Sequence, residues 1–299
     1  MNISEDEIPG FYGSDSHQEN ILFSTFYILI FIMAVPGNVL ALWTFFCQES
    51  TSPFKVFLRH LSVADTSYVL ILPMRIIYHL SNGYWPFGHV LCQLAGFLFY
   101  LNMYCSLYLM SFISLDRFLA VVLAIKSHTV RKAMYAKIAV GILWVTVIVS
   151  MSPILFSKKN VTNNSTGICN KLYLERTSHM ALVSTIVAFI IPLTTIVVCY
   201  ILILLKLRAI KQRPVKDKAI RMIILVVMNF LFAFVPYHVN RVIYIGSHDH
   251  MTAARHESLG IANRITSALT CVSGVLDPVM YFFLNRSYKD KMLQLFCKR

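Results

Sequence analysis

Seven apolar stretches, each close to the length needed to cross a lipid bilayer, occupy most of this chain. A membrane-spanning helix needs about 20 mostly apolar residues. Residues 21–47, 138–156 and 180–205 meet or approach that length without one charged side chain. The sequence therefore predicts an all-α fold, a bundle of seven transmembrane helices followed by a short amphipathic eighth helix.

The seven predicted spans divide the chain into one membrane domain with two short flanking segments. Residues 1–20 are predicted to be an extracellular N-terminal segment, 21–284 the seven-helix domain, and 285–299 an amphipathic helix with a cytoplasmic tail. The predicted spans are residues 21–47, 56–80, 88–122, 137–156, 180–207, 218–245 and 258–284.

The distribution of basic residues indicates on which side of the membrane each loop lies. The loops after spans one, three and five, with the tail and the adjoining helix ends, hold 19 of the 27 Lys and Arg residues. Basic residues concentrate on the cytoplasmic side of membrane proteins, so the N-terminus is expected outside the cell. The net charge of +13 follows this alternation and does not indicate nucleic acid as a partner.

Other sequence marks agree with this orientation. Four Asn-x-Ser/Thr glycosylation motifs, at Asn2, Asn160, Asn163 and Asn164, lie on the predicted outer side. Cys92 and Cys169 are the only cysteines predicted to face the oxidising exterior, where a disulfide persists, and they are predicted to pair. Cys297 follows the amphipathic stretch and is a candidate for palmitoylation, with an unmodified thiol as the alternative.

Each span also carries a short motif. The motifs in chain order are Gly37-Asn38, Leu61-Ser62-Val63-Ala64-Asp65, Cys92 with Asp116-Arg117-Phe118, Trp144, Pro192 with Tyr200, Phe234-Val235-Pro236, and Asp277-Pro278-Val279-Met280-Tyr281. These motifs, in this order on seven spans, resemble those of the rhodopsin-like G-protein-coupled receptors. The resemblance covers the whole chain. The segment Pro236-Tyr237-His238-Val239-Asn240-Arg241 is similar to the purinergic nucleotide, cysteinyl-leukotriene and lysophospholipid receptor branch.

The resemblance implies a plasma-membrane receptor that activates a heterotrimeric G protein, with the inhibitory class expected and arrestin as a further partner. Coupling residues implied by the family are Asp116, Arg117, Ile125, Tyr200 and Tyr281. Arg117 is expected to pair with Asp116 at rest and to reach the partner when the bundle opens. Ala124, in a segment where the family has a proline, leaves the second inner loop's geometry open.

A polar cluster is expected in the middle of the bundle. On the family template Asp65, Ser106 and Asp277 face inward together and would suit a sodium ion with water. The alternative is a hydrogen-bonded polar cluster without an ion. No other cofactor is expected, because no metal-ligand or nucleophile motif is found and the chain is not predicted to be an enzyme.

Three arginines are predicted at similar depth in the outer half of the bundle. Arg75 lies roughly 15 Å outward from Asp65, Arg264 roughly 20 Å outward from Asp277, and Arg241 five residues outward from Pro236. Guanidinium groups match phosphate and carboxylate oxygens, which indicates an anionic ligand, a nucleotide or an acidic lipid. The remaining predicted lining residues are Tyr100, Tyr104 and His238.

The three arginines and the chain as a whole also have alternative interpretations. The arginines could instead extend to lipid headgroups, or pair with Glu175, Asp249 or Glu257. The repeats of a transporter and the filter of a channel are not visible. The main functional alternative is a seven-helix scavenger or dimerisation partner that binds ligand without signalling, against which the intact Asp116-Arg117 pair argues.

Overall fold

The computed structural model describes residues 17–47, 52–123, 131–156, 169, 172–173, 179–209, 213–247 and 252–296. Over these residues the chain is almost entirely helical and contains no strand. Seven helical spans are long and apolar enough to cross a membrane, which confirms the predicted fold class. The spans are His17–Phe46, Pro53–Leu80, Gly88–Val121, Ala133–Phe156, Met180–Arg208, Ala219–Gly246 and Glu257–Leu284. We refer to them as spans one to seven.

Span three lies at the centre of the bundle and has the largest buried share, whereas spans four and five are mostly lipid-facing. Their outward side chains include Ile142 and Val198, which are more than half exposed. An apolar surface of this kind is favourable only in hydrocarbon. The bundle interior holds the polar residues, as expected when a charged side chain at the bilayer centre is costly.

Four spans contain breaks in regular α-helix, three of them next to proline. Span two divides into Pro53–Val69 and Leu72–Leu80, because Pro73 has no N–H to donate to the preceding turn. Span four divides into Ala133–Met151 and Pro153–Phe156. Span six contains a π-helical turn at Phe230–Phe234, just before Pro236. Span seven contains a 3-10 turn at Thr270–Val272. The apolar pattern of the sequence does not indicate the wider turn that precedes Pro236.

A polar contact compensates for the proline in span seven. Pro278 removes the N–H that would normally reach the carbonyl of Gly274, four residues earlier. The Asn38 side chain of span one donates to that carbonyl at 2.8 Å, and also to the carbonyl of Ala34 at 2.9 Å. Asn38 therefore joins spans one and seven at the level where span seven is weakest.

The predicted amphipathic helix is present at Arg286–Phe296. Its Tyr288 is fully buried, and the Tyr288 hydroxyl donates to the carbonyl of Gly37 in span one at 3.1 Å. Burial raises the pKa of Tyr288 to about 12, so this hydroxyl remains a neutral donor at physiological pH. The eighth helix is thereby fixed against span one as well as span seven.

Candidate functional site

A disulfide tethers the loop between spans four and five to the outer end of the bundle. Cys92, near the start of span three, is bonded to Cys169, which lies 77 positions later in the sequence, with Cα atoms 5.6 Å apart. This confirms the predicted pairing. The tether holds the loop residues Leu172 and Tyr173 over the helix ends, where both are buried.

Arg75 is enclosed directly beneath this loop. Its guanidinium group donates to the Tyr27 hydroxyl at 3.2 Å and to the Leu172 carbonyl at 3.0 Å. It also lies 4.3 Å from the ring centroid of Phe99 and 5.4 Å from that of Tyr173. The side chain has no exposed surface. Arg75 is thus a buried cation, and the hydroxyl, the carbonyl and the two rings around its guanidinium group are all neutral.

His79 continues this polar layer toward span one. Its Nδ1 atom lies 2.8 Å from the Asn20 side-chain oxygen, and its Nε2 atom lies 2.8 Å from the Tyr173 hydroxyl. Because an amide oxygen only accepts, Nδ1 carries the proton and Tyr173 donates to Nε2. Burial raises the pKa of Tyr173 well above its usual range, which keeps this donor neutral. His79 was not among the predicted site residues.

Arg264 forms an ion pair that was not predicted. Its nearest guanidinium nitrogen lies 3.6 Å from a carboxylate oxygen of Glu19, and both side chains are partly exposed. The carboxylates considered from sequence were Glu175, Asp249 and Glu257. Glu19 was missed because span one begins at His17, whereas the apolar pattern alone begins it at residue 21. The added turn brings Glu19 to the outer end of span seven.

Arg241 and His238 occupy the outer part of span six and face span three. Arg241 is 4% exposed, and its guanidinium carbon lies 5.6 Å from the ring centroid of Tyr244. The His238 ring packs edge-on to Tyr104 at 6.1 Å between centroids and stacks on Phe189 at 4.4 Å. The structure therefore brings the predicted Tyr104 and His238 together.

The His238 ring presents a specific hydrogen-bonding pattern. Its Nδ1 atom lies 2.8 Å from the Phe234 carbonyl, which can only accept, so Nδ1 is the protonated nitrogen. The Nε2 atom is then an acceptor, and it has no hydrogen-bond partner among the described residues. A buried acceptor of this kind suits a donor group on a ligand.

The three predicted arginines belong to one electrostatic region. Arg75 and Arg241 both lie within Coulombic range of the Tyr100 and Tyr237 hydroxyls. Arg75 and Arg264 are likewise both within range of His79. Arg75 therefore shares polar neighbours with each of the other two arginines. Their contacts differ, however, because Arg75 lies under the loop and Arg264 is paired with Glu19.

In the middle of the bundle, Asp65 receives two neutral donors. The Asn102 side chain donates to Asp65 Oδ1 at 3.3 Å and to the Ser106 hydroxyl at 3.3 Å. The Tyr281 hydroxyl donates to Asp65 Oδ2 at 3.1 Å. All four side chains are fully or almost fully buried, so this cluster is part of the interior and not of the outer pocket.

Asp277 lies next to Asp65. Asn229 of span six donates to Asp277 Oδ1 at 2.7 Å, and the two carboxyl groups are direct neighbours. Asp277 Oδ2 has no hydrogen-bond partner among the described residues. Two adjacent buried carboxyls cannot both remain charged without a cation. The residues present therefore fit a sodium ion held by Asp65, Ser106 and Asp277.

At the inner end of span three, Asp116 pairs with two arginines. Arg117 contacts one carboxylate oxygen, and Arg131 Nε donates to the other at 2.9 Å. The Arg117 guanidinium also lies 4.2 Å from the ring centroid of Phe54 in span two. The expected Asp116–Arg117 contact is present. The contact of Arg131 was not predicted, because no sequence pattern relates an inner-loop arginine to Asp116.

The other predicted coupling residues are engaged elsewhere in this conformation. The Tyr200 and Ser114 hydroxyls are hydrogen-bonded at 2.8 Å, and Tyr281 is bonded to Asp65 as described above. Neither the Tyr200 hydroxyl nor the Tyr281 hydroxyl is hydrogen-bonded to Arg117 in the described part of the chain. Several predicted residues lie outside the described part of the chain: Ile125, Asn2, Asn160, Asn163, Asn164 and Cys297.

Comparison with known proteins gives one family. Residues 37–281 match the model of the 7 transmembrane receptor (rhodopsin family). The chain is 49% identical over 291 residues to the human uracil nucleotide/cysteinyl leukotriene receptor, covering 95% of this chain and 79% of that receptor. It is 46% identical over 295 residues to the mouse receptor of the same name, covering 96% and 86%. It is 33% identical over 287 residues to human cysteinyl leukotriene receptor 1, covering 91% and 84%.

Proposed function

Because this chain belongs to the rhodopsin family of seven-transmembrane receptors, we propose that it binds an anionic extracellular ligand and activates a heterotrimeric G protein of the inhibitory class. The names of its relatives refer to uracil nucleotides and cysteinyl leukotrienes, which carry phosphate or carboxylate groups. The proposal places the N-terminus outside the cell, in agreement with the distribution of basic residues and glycosylation motifs. It also includes arrestin as a cytoplasmic partner.

Arg75 is the observation that carries the ligand assignment. Burying a cation costs several kcal/mol unless an opposite charge is close, and within the described residues Arg75 forms no ion pair. An anionic ligand below the loop would supply the missing charge. Arg75 would act mainly through its field and by holding Leu172, since the loop covers it in this conformation.

Arg241, Tyr104 and His238 would make the direct contacts. The planar guanidinium of Arg241 would bind phosphate or carboxylate oxygens with two parallel hydrogen bonds. Tyr104 offers a ring face or edge to a nucleobase or to an acyl chain. The His238 Nε2 acceptor would take a hydrogen bond from an N–H donor, which a uracil base has at N3. Tyr100 and Arg264 would complete the wall of the site.

Coupling to the G protein would proceed through the inner face. Opening of span six would release Arg117 from Asp116 and from the Phe54 ring, and Tyr200 and Tyr281 would then move toward the freed guanidinium. A sodium ion at Asp65, Ser106 and Asp277 would neutralise the adjacent carboxyls in the resting receptor. Asn102 and Tyr281 would orient Asp65, and Asn229 would hold Asp277 to span six.

A ligand panel of nucleotides and acidic lipids, read by G-protein dissociation, tests the ligand assignment. Loss of a hydrogen bond to a charged group costs ~1.5–3 kcal/mol, so Arg241→Gln should lower agonist potency by about tenfold or more. Arg241→Lys should recover potency only if the ligand needs a charge and not the bidentate arrangement. Arg255→Gln, at an exposed position on the outer end of the same helix as Arg264, is the matched control.

Two further results would separate the ligand classes. If the agonist is a uracil nucleotide, methylation of its N3 should lower potency in the wild type but not in His238→Phe. If the agonist is an acidic lipid, His238→Phe should lower its potency less than the arginine substitutions do. A neutral or cationic agonist of high affinity, or wild-type potency in Arg75→Gln, Arg241→Gln and Arg264→Gln together, would contradict the assignment.

Signalling is tested at Arg117. We expect Arg117→Ala to abolish G-protein nucleotide exchange while agonist binding persists, because the residue contacts the partner and not the ligand. The measurement is exchange and radioligand binding at matched surface expression. Undiminished exchange in Arg117→Ala would show that coupling does not depend on Arg117. Absence of agonist-dependent exchange in the wild type would indicate the non-signalling alternative, a scavenger or dimerisation partner.

A further inference from the structure

Two basic side chains at the inner end of the bundle lie over aromatic rings on the outer surface of span one. The Arg59 guanidinium carbon is 4.1 Å from the Phe46 ring centroid. The Lys291 ammonium nitrogen is 4.5 Å from the Trp43 ring centroid. Arg59 belongs to span two and Lys291 to the eighth helix. Cations from two flanking helices therefore converge on one side of span one.

The two rings form a single surface that faces lipid. Trp43 and Phe46 are three residues apart, and residues at that spacing share one face of a helix. Their side chains are 53% and 54% exposed. Span one ends at Phe46, so the surface lies in its last turn, at the level of the inner headgroups. We call Trp43, Phe46, Arg59 and Lys291 the inner-rim cluster.

The charges of the inner-rim cluster are available to a lipid. Within the described part of the chain neither Arg59 nor Lys291 forms an ion pair. By contrast, Arg286 on the same short helix as Lys291 is almost fully exposed and pairs with Asp290 at 4.0 Å. Basic side chains at a membrane edge ordinarily extend toward water. Arg59 and Lys291 instead lie against rings whose other surface faces lipid.

From this arrangement we propose that the inner-rim cluster binds the headgroup of a phosphoinositide in the cytoplasmic leaflet. A guanidinium group stacked on a ring through its flat face keeps its N–H edges for phosphate oxygens. Lys291 supplies a second positive charge roughly one helical turn away along span one. A headgroup with several phosphates can engage both cations, whereas a single carboxylate or phosphodiester engages one.

The site has consequences for the helices that form it. The bound headgroup would connect span two with the eighth helix across the end of span one. That arrangement holds the eighth helix, already fixed by Tyr288, against the bundle. Aromatic residues are favoured at the headgroup level of membranes, and the Trp43 indole would lie beside the glycerol region of the same lipid.

Native mass spectrometry of the full chain in detergent tests the proposal. The probe is dioctanoyl phosphatidylinositol bisphosphate, titrated against wild type, Arg59→Gln, Lys291→Gln and the double variant. A basic residue near an anionic surface contributes ~1 kcal/mol, so each single variant should bind the probe about fivefold more weakly. The double variant should lose tenfold or more. Arg286→Gln, which removes an equal charge from the same helix, should leave binding unchanged.

The melting temperature of each variant establishes that it is folded, and Arg59→Lys serves as a conservative second variant that retains the charge. An unchanged affinity in the folded double variant would overturn the proposal. An equal loss in Arg286→Gln would also overturn it, since binding would then depend on total charge and not on the cluster. Dioctanoyl phosphatidylserine should bind more weakly than the bisphosphate. Equal affinity for the two would contradict a phosphoinositide site.

Discussion

Asp116 accepts hydrogen bonds from Arg131 as well as from its chain neighbour Arg117, so one carboxylate at the inner face holds two guanidinium groups. Arg131 Nε is 2.9 Å from Asp116 Oδ1, and Arg117 contacts Oδ2. Two cations that share one anion each bind it less strongly than one cation would. Arg131 also leaves Asp116 with a partner after Arg117 departs.

Arg131→Gln should therefore reduce ligand-independent signalling. Without Arg131, Asp116 would be paired with Arg117 alone and would be left unpaired on opening. For a partly exposed ion pair worth up to ~1 kcal/mol, basal exchange should fall by about twofold to fivefold. Arg131→Lys should lie between wild type and Arg131→Gln. A basal rate that rises in Arg131→Gln would show that Arg131 stabilises the closed state instead.

We expect Lys216, a second residue at the inner face, to raise the activity of the receptor in the absence of ligand. Lys216 lies near the start of the inner helix of span six, where the family resemblance implies an acid that would pair with Arg117. Lys216 cannot form that pair, so the closed state lacks one restraint. Lys216→Glu should lower basal exchange by about twofold to fivefold, the equivalent of up to ~1 kcal/mol. The exposed neighbour Asp217, changed to Asn, serves as the control and should have little effect.

The features that could be predicted from sequence follow from position along a helix. The seven spans, the Cys92–Cys169 disulfide and the proximity of Asp65 to Asp277 all depend on depth in the membrane. Helix rise and hydrophobic length fix that depth. The same reasoning brought the three arginines to one end of the bundle.

The features that were missed depend on loops and on helix ends. Arg75 is covered by Leu172 and Tyr173, whose positions are determined by a tethered loop and not by a periodic pattern. Glu19 reaches Arg264 because span one extends beyond its apolar run. The π-helical turn in span six adds a residue to one turn, which a 3.6-residue period cannot indicate. Tertiary contacts decide each of these three features.

Glu19 should reduce the affinity of the site for anions, because its carboxylate lies 3.6 Å from Arg264. An anionic ligand that approaches Arg264 meets this negative charge first. Glu19→Gln should therefore raise the potency of an anionic agonist by about twofold to fivefold, as expected for a partly exposed pair worth up to ~1 kcal/mol. The measurement is the agonist concentration for half-maximal G-protein dissociation.

The matched control for Glu19 is Glu257→Gln, an exposed acid near the outer end of span seven. It changes the net charge of the outer surface equally without altering the Glu19–Arg264 pair. If both variants raise potency to the same extent, the effect is general electrostatic attraction and the specific role of Glu19 is wrong. The gain should also disappear in the double variant with Arg264→Gln.

Gly37 permits close contact between spans one and seven. A Cβ atom at this position would lie 2.6 Å from Pro278 Cβ and 2.8 Å from Pro278 Cγ, well inside normal carbon contact distance. The next residue, Asn38, donates to the carbonyl that Pro278 leaves without a backbone partner. The Gly37 carbonyl itself accepts from Tyr288. The close approach of the two helices at Gly37 therefore supports both hydrogen bonds.

Gly37→Ala should destabilise the receptor. Inserting an extra carbon into a packed interior costs about 1–3 kcal/mol, which exceeds the gain of up to ~1 kcal/mol from replacing a helical glycine. Thermal unfolding in detergent should show a melting temperature lower by several degrees, with less receptor at the cell surface. Gly141→Ala is the control, because a Cβ at Gly141 in span four meets nothing within 4 Å and should be neutral or stabilising. Equal melting temperatures for the two variants would mean that span seven yields easily at Pro278 and that Gly37 does not limit the packing of these helices.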